Sequence, residues 1–214
     1  MHPDLRYLVH FYNDPRYLFK TISMAGEGEA EAICDAISAQ KGWFWMRFSP
    51  AERKGYLRRR RFVENALYAD YTREYGPLKE KVPVFFYLIP GITPAAAREM
   101  ARQRTGHGES EPHVLLVDLA GLADTSQITF TLNDSHAAYW QRIRAAGLAF
   151  GGETNVPALL PDHNRVFPFA RIEEVHAKYA GQDVRYEVQV WDTALLEGMK
   201  GVVLGDAETG MRSV

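Results

Sequence analysis

Several side chains stand where their chemistry is out of keeping with their neighbours. His10 interrupts the apolar run YLVHFY, and Tyr12 and Asn13 add hydrogen-bonding groups at the end of that run. Arg58, Arg59, Arg60 and Arg61 follow one another and lead straight into an apolar, aromatic-rich stretch. Glu153 lies in GGETN, where flanking glycines let the backbone approach a ligand closely. Asn133, Asp134 and His136 sit at a strand-to-helix junction, where helix capping accounts for at least one of them. An arginine fork suits a diphosphate or a carboxylate bidentately, so one arginine turned into the fold would make an anion clamp.

Helical geometry limits the arginine run. Four consecutive helical residues fan over about 300°, so at most two can face one partner and the rest are solvated. Net charge is -2, so no global basic field drives nucleic-acid binding, and any such contact must come from a local patch.

Other chemistries lack their motifs. The sequence has no GxxxxGK[ST] loop, no GxGxxG opening a helix, no HExxH, no GxSxG and no CxxC. Asp162, His163 and His176 offer no metal-ligand spacing, since adjacent residues point apart, and no metal is expected there. The single Cys34 excludes an internal disulfide and reads as a buried helix position in AEAICDAI. No basic start followed by an apolar run opens the chain, and no stretch approaches 18 apolar residues. These features predict a cytoplasmic protein with no membrane span.

The elements that must position these residues can be read from periodicity. RYLVHFY reads as a strand, DPRYLFKTISMAG as a short helix, and residues 27–39 as a second one. GWFWMRF is a strand-like aromatic run, and with Arg47 and Arg53 it is the best candidate for contacts with single-stranded nucleic acid. From Pro50 to about Tyr75 the pattern is helical, with Tyr56, Leu57, Phe62, Val63, Ala66, Leu67 and Tyr71 on one stripe, and Gly76-Pro77 stops it. VPVFFYLIP and HVLLVDL read as buried strands, QITFTL as a strand alternating apolar and hydroxyl residues, and YEVQVW as a further strand. AAAREMARQRTG and the capped NDSHAAYWQRIRAAG read as helices, while FARIEEVHAKYAG fits strand or helix. With 214 residues and 46% hydrophobic content, the chain is expected to form one α+β domain over 1–192 with a peripheral tail over 193–214.

The order of these pieces resembles the DarT-type ADP-ribosyltransferases, toxins that transfer ADP-ribose from NAD to DNA bases. The matching pieces are YLVHFYNDPRYLFKTISMAG with His10, the arginines of LRRRR, VPVFFYLIP, HVLLVDLAGL, FTLNDSHAAYW, FPFARIEEV and VRYEVQVW, spanning residues 7 to 191. Tyr12 stands where the family tends to have threonine, and PALLPDHNRV holds no glutamate before the Phe-Pro element. The resemblance implies short, mostly antiparallel strands in a split sheet with inserted helices. It also implies NAD as substrate and a single-stranded DNA or RNA acceptor, and it allows a cognate antitoxin protein as partner.

In that reading Glu153, Arg59 and Arg60 are the catalytic candidates, with Glu173 and Glu174 as other placements of the carboxylate. His10, Tyr12, Asn13, Arg58, Phe86 and Tyr87 are the cofactor-binding candidates. His10 would hold the nicotinamide ribose, and Tyr12 or Phe86 would stack on nicotinamide. Cleaving the bond from nicotinamide to ribose develops positive charge at the anomeric carbon, which a neighbouring carboxylate stabilises. Two other readings remain open: a degenerate nucleotide-binding or antitoxin/immunity-type module, and a metal-independent nuclease using His10, Tyr12 and an arginine.

Overall fold

The structure, a computed structural model, describes residues 2–12, 18–39, 48–105, 113–122, 124–149, 160–197, 201–203 and 212–213. Its strands are β1 (Tyr7–Tyr12), β2 (Val84–Leu88), β3 (His113–Asp118), β4 (Ile128–Leu132), β5 (Phe167–Pro168), β6 (Tyr186–Val190), β7 (Gly201–Val203) and β8 (Arg212–Ser213). Its helices are α1 (Glu27–Ser38), α2 (Arg53–Tyr75), α3 (Pro94–Thr105), α4 (Ser135–Ala138), α5 (Trp140–Ala145), α6 (Ile172–Lys178) and α7 (Ala194–Glu197). The strands form one antiparallel sheet in the order β5-β4-β6-β2-β1-β3-β7-β8, so the chain is α+β as its sequence indicates.

Strand alternation sorts the side chains into two layers. Leu8, Phe86, Leu88, Phe130, Tyr186 and Val188 face one layer, closed by Ile172 and Val175 of α6 and by Tyr179. On the other face α2 and α5 cover Trp191 and Phe85, and Ala97 and Ala101 of α3 cover Val9, Val114 and Leu116. Because helices cover both faces, β4 and β6 are buried along their whole length. Polar residues on these strands therefore need internal partners. Trp191 Nε1 donates to Thr129 Oγ1 at 2.8 Å, Thr129 Oγ1 donates to Gln189 Oε1 at 2.8 Å, and Gln189 Nε2 donates to the Glu187 carbonyl at 2.9 Å.

The β1–β2 ladder pairs Leu8 with Leu88 and Val9 with Tyr87 and goes no further, whereas β1 and β3 pair from Tyr7 to Tyr12. The sheet therefore splits between β1 and β2 at His10. The backbone groups of Phe85 and Phe86 on that side must then find partners other than a strand.

Helix α2 has no proline and carries its single glycine, Gly55, in its first turn, and it ends at Gly76, whose φ of 113° few other residues tolerate. Asp70 ties its last half to the helices that follow β4: it accepts from Tyr139 at 3.0 Å and from Arg73 at 3.1 Å and pairs with Arg142. Cys34 and Ile37 of α1 pack on Tyr56 near the start of α2, which confirms Cys34 as a buried position.

Some expectations change in detail. The segment after β1 holds only a 3-10 turn, Ile22–Met24, among its described residues, because its apolar side chains meet two different clusters instead of one helix stripe. NDSHAAYWQRIRAAG forms two short helices broken at Tyr139. FARIEEVHAKYAG, which fits strand or helix by sequence, is helical. GWFWMRF lies outside the described residues except for Phe48. In the stretch read as a tail, Leu196 enters the core and β7 pairs with β3.

Thr129→Val removes the acceptor of a buried indole N–H and should cost about 1–3 kcal/mol in urea unfolding. Arg58→Ala, an exposed change, should stay within about 0.5 kcal/mol of the parent.

Candidate functional site

The arginine run resolves as helix geometry requires. Arg58 and Arg61 are exposed, and Arg59 and Arg60 turn inward. Arg59 lies on the buried stripe with Tyr56 and Val63. Arg60 crosses toward the sheet and lies over the Phe85 ring, with its guanidinium carbon 4.7 Å from the ring centroid. Its Nε donates to Glu64 Oε1 at 2.9 Å, one terminal nitrogen to Tyr56 Oη at 3.0 Å, and the other to Thr21 Oγ1 at 2.8 Å. Burial works against its charge, but Tyr56 and Glu64 outweigh that effect, so Arg60 is a fixed cation. These partners engage three of its five N–H donors.

Beside this cation, on the same sheet face as Phe85, stands Glu187 of β6. Cross-strand pairing sets it opposite Tyr87 on β2 and Thr131 on β4, and it is 5% exposed. The backbone N–H of Ser135 donates to its Oε1 at 3.3 Å. Burial, reinforced by the neighbouring Asp134 charge, pushes its carboxyl up to about 8 against the opposing pulls of the Ser135 hydrogen bonds and Arg60.

The junction that delivers Ser135 is built by its own sequence. Asn133 adopts φ 59°, a left-handed conformation in which asparagine is favoured, and Asp134 caps α4 by accepting from the His136 N–H at 2.9 Å. Capping is therefore Asp134's role, as the sequence suggests. The His136 ring stacks against Tyr56, with centroids 6.0 Å apart and planes 12° off parallel.

His10 occupies the split in the sheet. Its Nδ1 donates to the Phe85 carbonyl at 2.7 Å, which meets the backbone need created where the ladder ends. A carbonyl can only accept, so the proton sits on Nδ1 and Nε2 is the acceptor nitrogen. Burial lowers the imidazole's pKa more than the Phe85 and Leu18 backbones raise it, and Arg60 lowers it further, so the ring is neutral at pH 7. His10 Nε2 and His136 Nε2 are among several buried side-chain atoms of the described residues that have no hydrogen-bond partner. Unsatisfied buried polar atoms are costly, and such atoms mark positions where a ligand could supply the missing partner.

The other candidates fall as follows. Tyr12 stacks on His10 at 6.0 Å and on His113 at 5.1 Å, extending the aromatic row at the split. Phe86 is fully buried and backs the His10 ring at 4.9 Å, which leaves it no face for a ligand. Tyr87 is half-buried beside Glu187 and against Phe11. Asn13 and Glu153 lie outside the described residues. Glu173 and Glu174 are exposed on α6, and Arg171 pairs with Glu174 at 2.6 Å. Asp162 is held by Tyr179, Lys178 and Arg165.

Glu187 is the residue that sequence reasoning missed. Its local signal is weak, because in YEVQVW it alternates with apolar residues as a solvent-facing strand position does.

No family model, no curated protein and no solved structure matches the chain.

Arg60→Ala would leave Glu64, 2% exposed, as an uncompensated buried charge and should cost about 3–5 kcal/mol of unfolding free energy. Glu187 gives a separate pH signature. Its folded pKa lies above the ordinary 4.5, so the folded chain holds that proton longer than the unfolded one does. The resulting stability is full below about pH 4.5 and is lost as pH rises toward 8, with a slope of up to about 1.4 kcal/mol per pH unit. Urea midpoints of the parent should show this fall relative to Glu187→Gln, which has no proton to lose.

Proposed function

We propose that the chain is an NAD-dependent ADP-ribosyltransferase that modifies nucleic acid, with DNA bases in a single strand as the first candidate acceptor. The observation that carries this reading is a buried acid, Glu187, set beside a half-buried cation, Arg60, next to the split in the sheet that His10 fills. Carried over from Glu153, the carboxylate role suits Glu187 because its surroundings exclude water and its position on a central strand is rigid.

In this reading the two unengaged N–H donors of Arg60 bind a diphosphate oxygen of NAD. The neutral His10 accepts a ribose hydroxyl at Nε2, and Tyr12 offers the aromatic edge of the nicotinamide pocket. The bond between nicotinamide nitrogen and the anomeric carbon breaks, and its electron pair leaves with neutral nicotinamide. The positive charge left on the sugar is stabilised by the ionised Glu187, and a base nitrogen or oxygen of the acceptor then attacks the anomeric carbon and loses its proton. Ionised Glu187 is the competent form, so kcat/KM should rise with pH through the titration of this carboxyl. Toxicity on expression and a cognate antitoxin belong to the same proposal.

The raised pKa also favours a second reading, a nucleotide-binding module that holds NAD while its neutral acid leaves the bond intact. Radiolabelled NAD incubated with total cellular nucleic acid and protein separates the two. Transfer onto nucleic acid, reduced about 10²–10³-fold in Glu187→Gln with thermal protection by NAD retained, is the expected outcome for the enzyme. Protection without transfer supports the module. Absence of NAD binding at millimolar concentration overturns both.

A further inference from the structure

A different cluster lies on the opposite side of the sheet. His2 and Asp4 precede β1, and His176 lies on α6, which covers the face away from Glu187. One ligand atom from each of the three lies within 4.8 Å of the others. The two imidazoles meet edge to face with centroids 4.9 Å apart, and His2 Nδ1 is 3.7 Å from Asp4 Oδ2. Nothing in the proposed transfer reaction uses them.

We propose that His2, Asp4 and His176 bind one divalent transition-metal ion of the zinc class and so tie the segment before β1 to α6. Two imidazoles and one carboxylate are a zinc donor set, with the fourth tetrahedral position left to solvent. Tetrahedral bonds of about 2.0–2.1 Å place donor atoms about 3.3 Å apart, so the three must close by up to about 1.5 Å. The side chains free to do so are His2 and Asp4, at 47% and 57% exposure.

The backbone beneath them is already fixed. Leu5 is buried in the core, its N–H donates to the His2 carbonyl at 2.9 Å, and the Asp4 carbonyl accepts from Gly91 at 2.8 Å. His176 is oriented from behind, since its Nδ1 is hydrogen-bonded to the Tyr186 hydroxyl at 3.1 Å, the arrangement in which a second residue sets the ring of a metal-binding histidine. Glu173, one helical turn before His176, takes a hydrogen bond from the His2 backbone and adds negative charge beside the cluster.

Zinc chloride titrated calorimetrically into the untagged, chelator-stripped full chain tests the site. One ion per chain should bind, and affinity should fall at least tenfold in each of His2→Ala, Asp4→Ala and His176→Ala. His2 is exposed and outside every element, so His2→Ala should keep the metal-free melting temperature, which separates ligand loss from unfolding. Cobalt(II) in place of zinc should give the visible absorption of a four-coordinate site. The proposal is overturned if the parent takes up no saturable zinc, or if His2→Ala and His176→Ala weaken binding less than tenfold.

Discussion

An arginine enclosed between a helix and a sheet organises this protein. Arg60 cannot discard its charge, so burying it beneath α2 demands partners, and they come from Glu64 and Tyr56 on its own helix and from Thr21 in the segment that follows β1. Those contacts fix α2 over Phe85 and set one cation against β2 and β6, where it acts on both His10 and Glu187. Helix α2 must therefore sit where it does, and Asp70 locks its far half to Tyr139 and Arg142 so that it cannot slide.

The sheet supplies the complementary half. A histidine caps the end of the β1–β2 ladder by taking the Phe85 carbonyl, and a carboxyl reaches the same region from β6. The polar ladder of Trp191, Thr129 and Gln189 crosses between β6 and β4 and ends on the Glu187 carbonyl. A fully paired network of this kind fixes a strand's position more sharply than apolar packing does, because slippage would strand several buried polar atoms at once. Glu187 is thus held on a rigid frame, with its own acid balanced between desolvation and one nearby cation.

Much of this order is legible in the sequence because it follows from local rules. VPVFFYLIP and HVLLVDL could hardly be other than buried strands, the arginine fan follows from 3.6 residues per turn, and NDS before an apolar run marks a cap that Asp134 supplies. His10 is visible because a histidine in an apolar strand needs a reason. Glu187 escapes the same reasoning because YEVQV alternates apolar and polar residues, as a strand with one solvated face does. Only strand order shows that β6 lies between β4 and β2 with helices on both faces, which buries the acid. Pairing across the 50 or so residues between β4 and β6 is a property of topology that no local pattern carries. The segment after β1 misleads for a related reason: its apolar spacing matches a helix, but its residues serve two separate clusters.

The central claim, that Glu187 is a ligand-facing acid held by burial beside Arg60, is tested most directly by following its carboxyl carbon in ¹³C NMR as pH is raised, with Glu187→Gln assigning the signal. The account requires a midpoint near 8 in the free protein that moves downward when NAD places its cationic nicotinamide beside the carboxylate. A midpoint at the ordinary glutamate value, or one that NAD leaves in place, would contradict it.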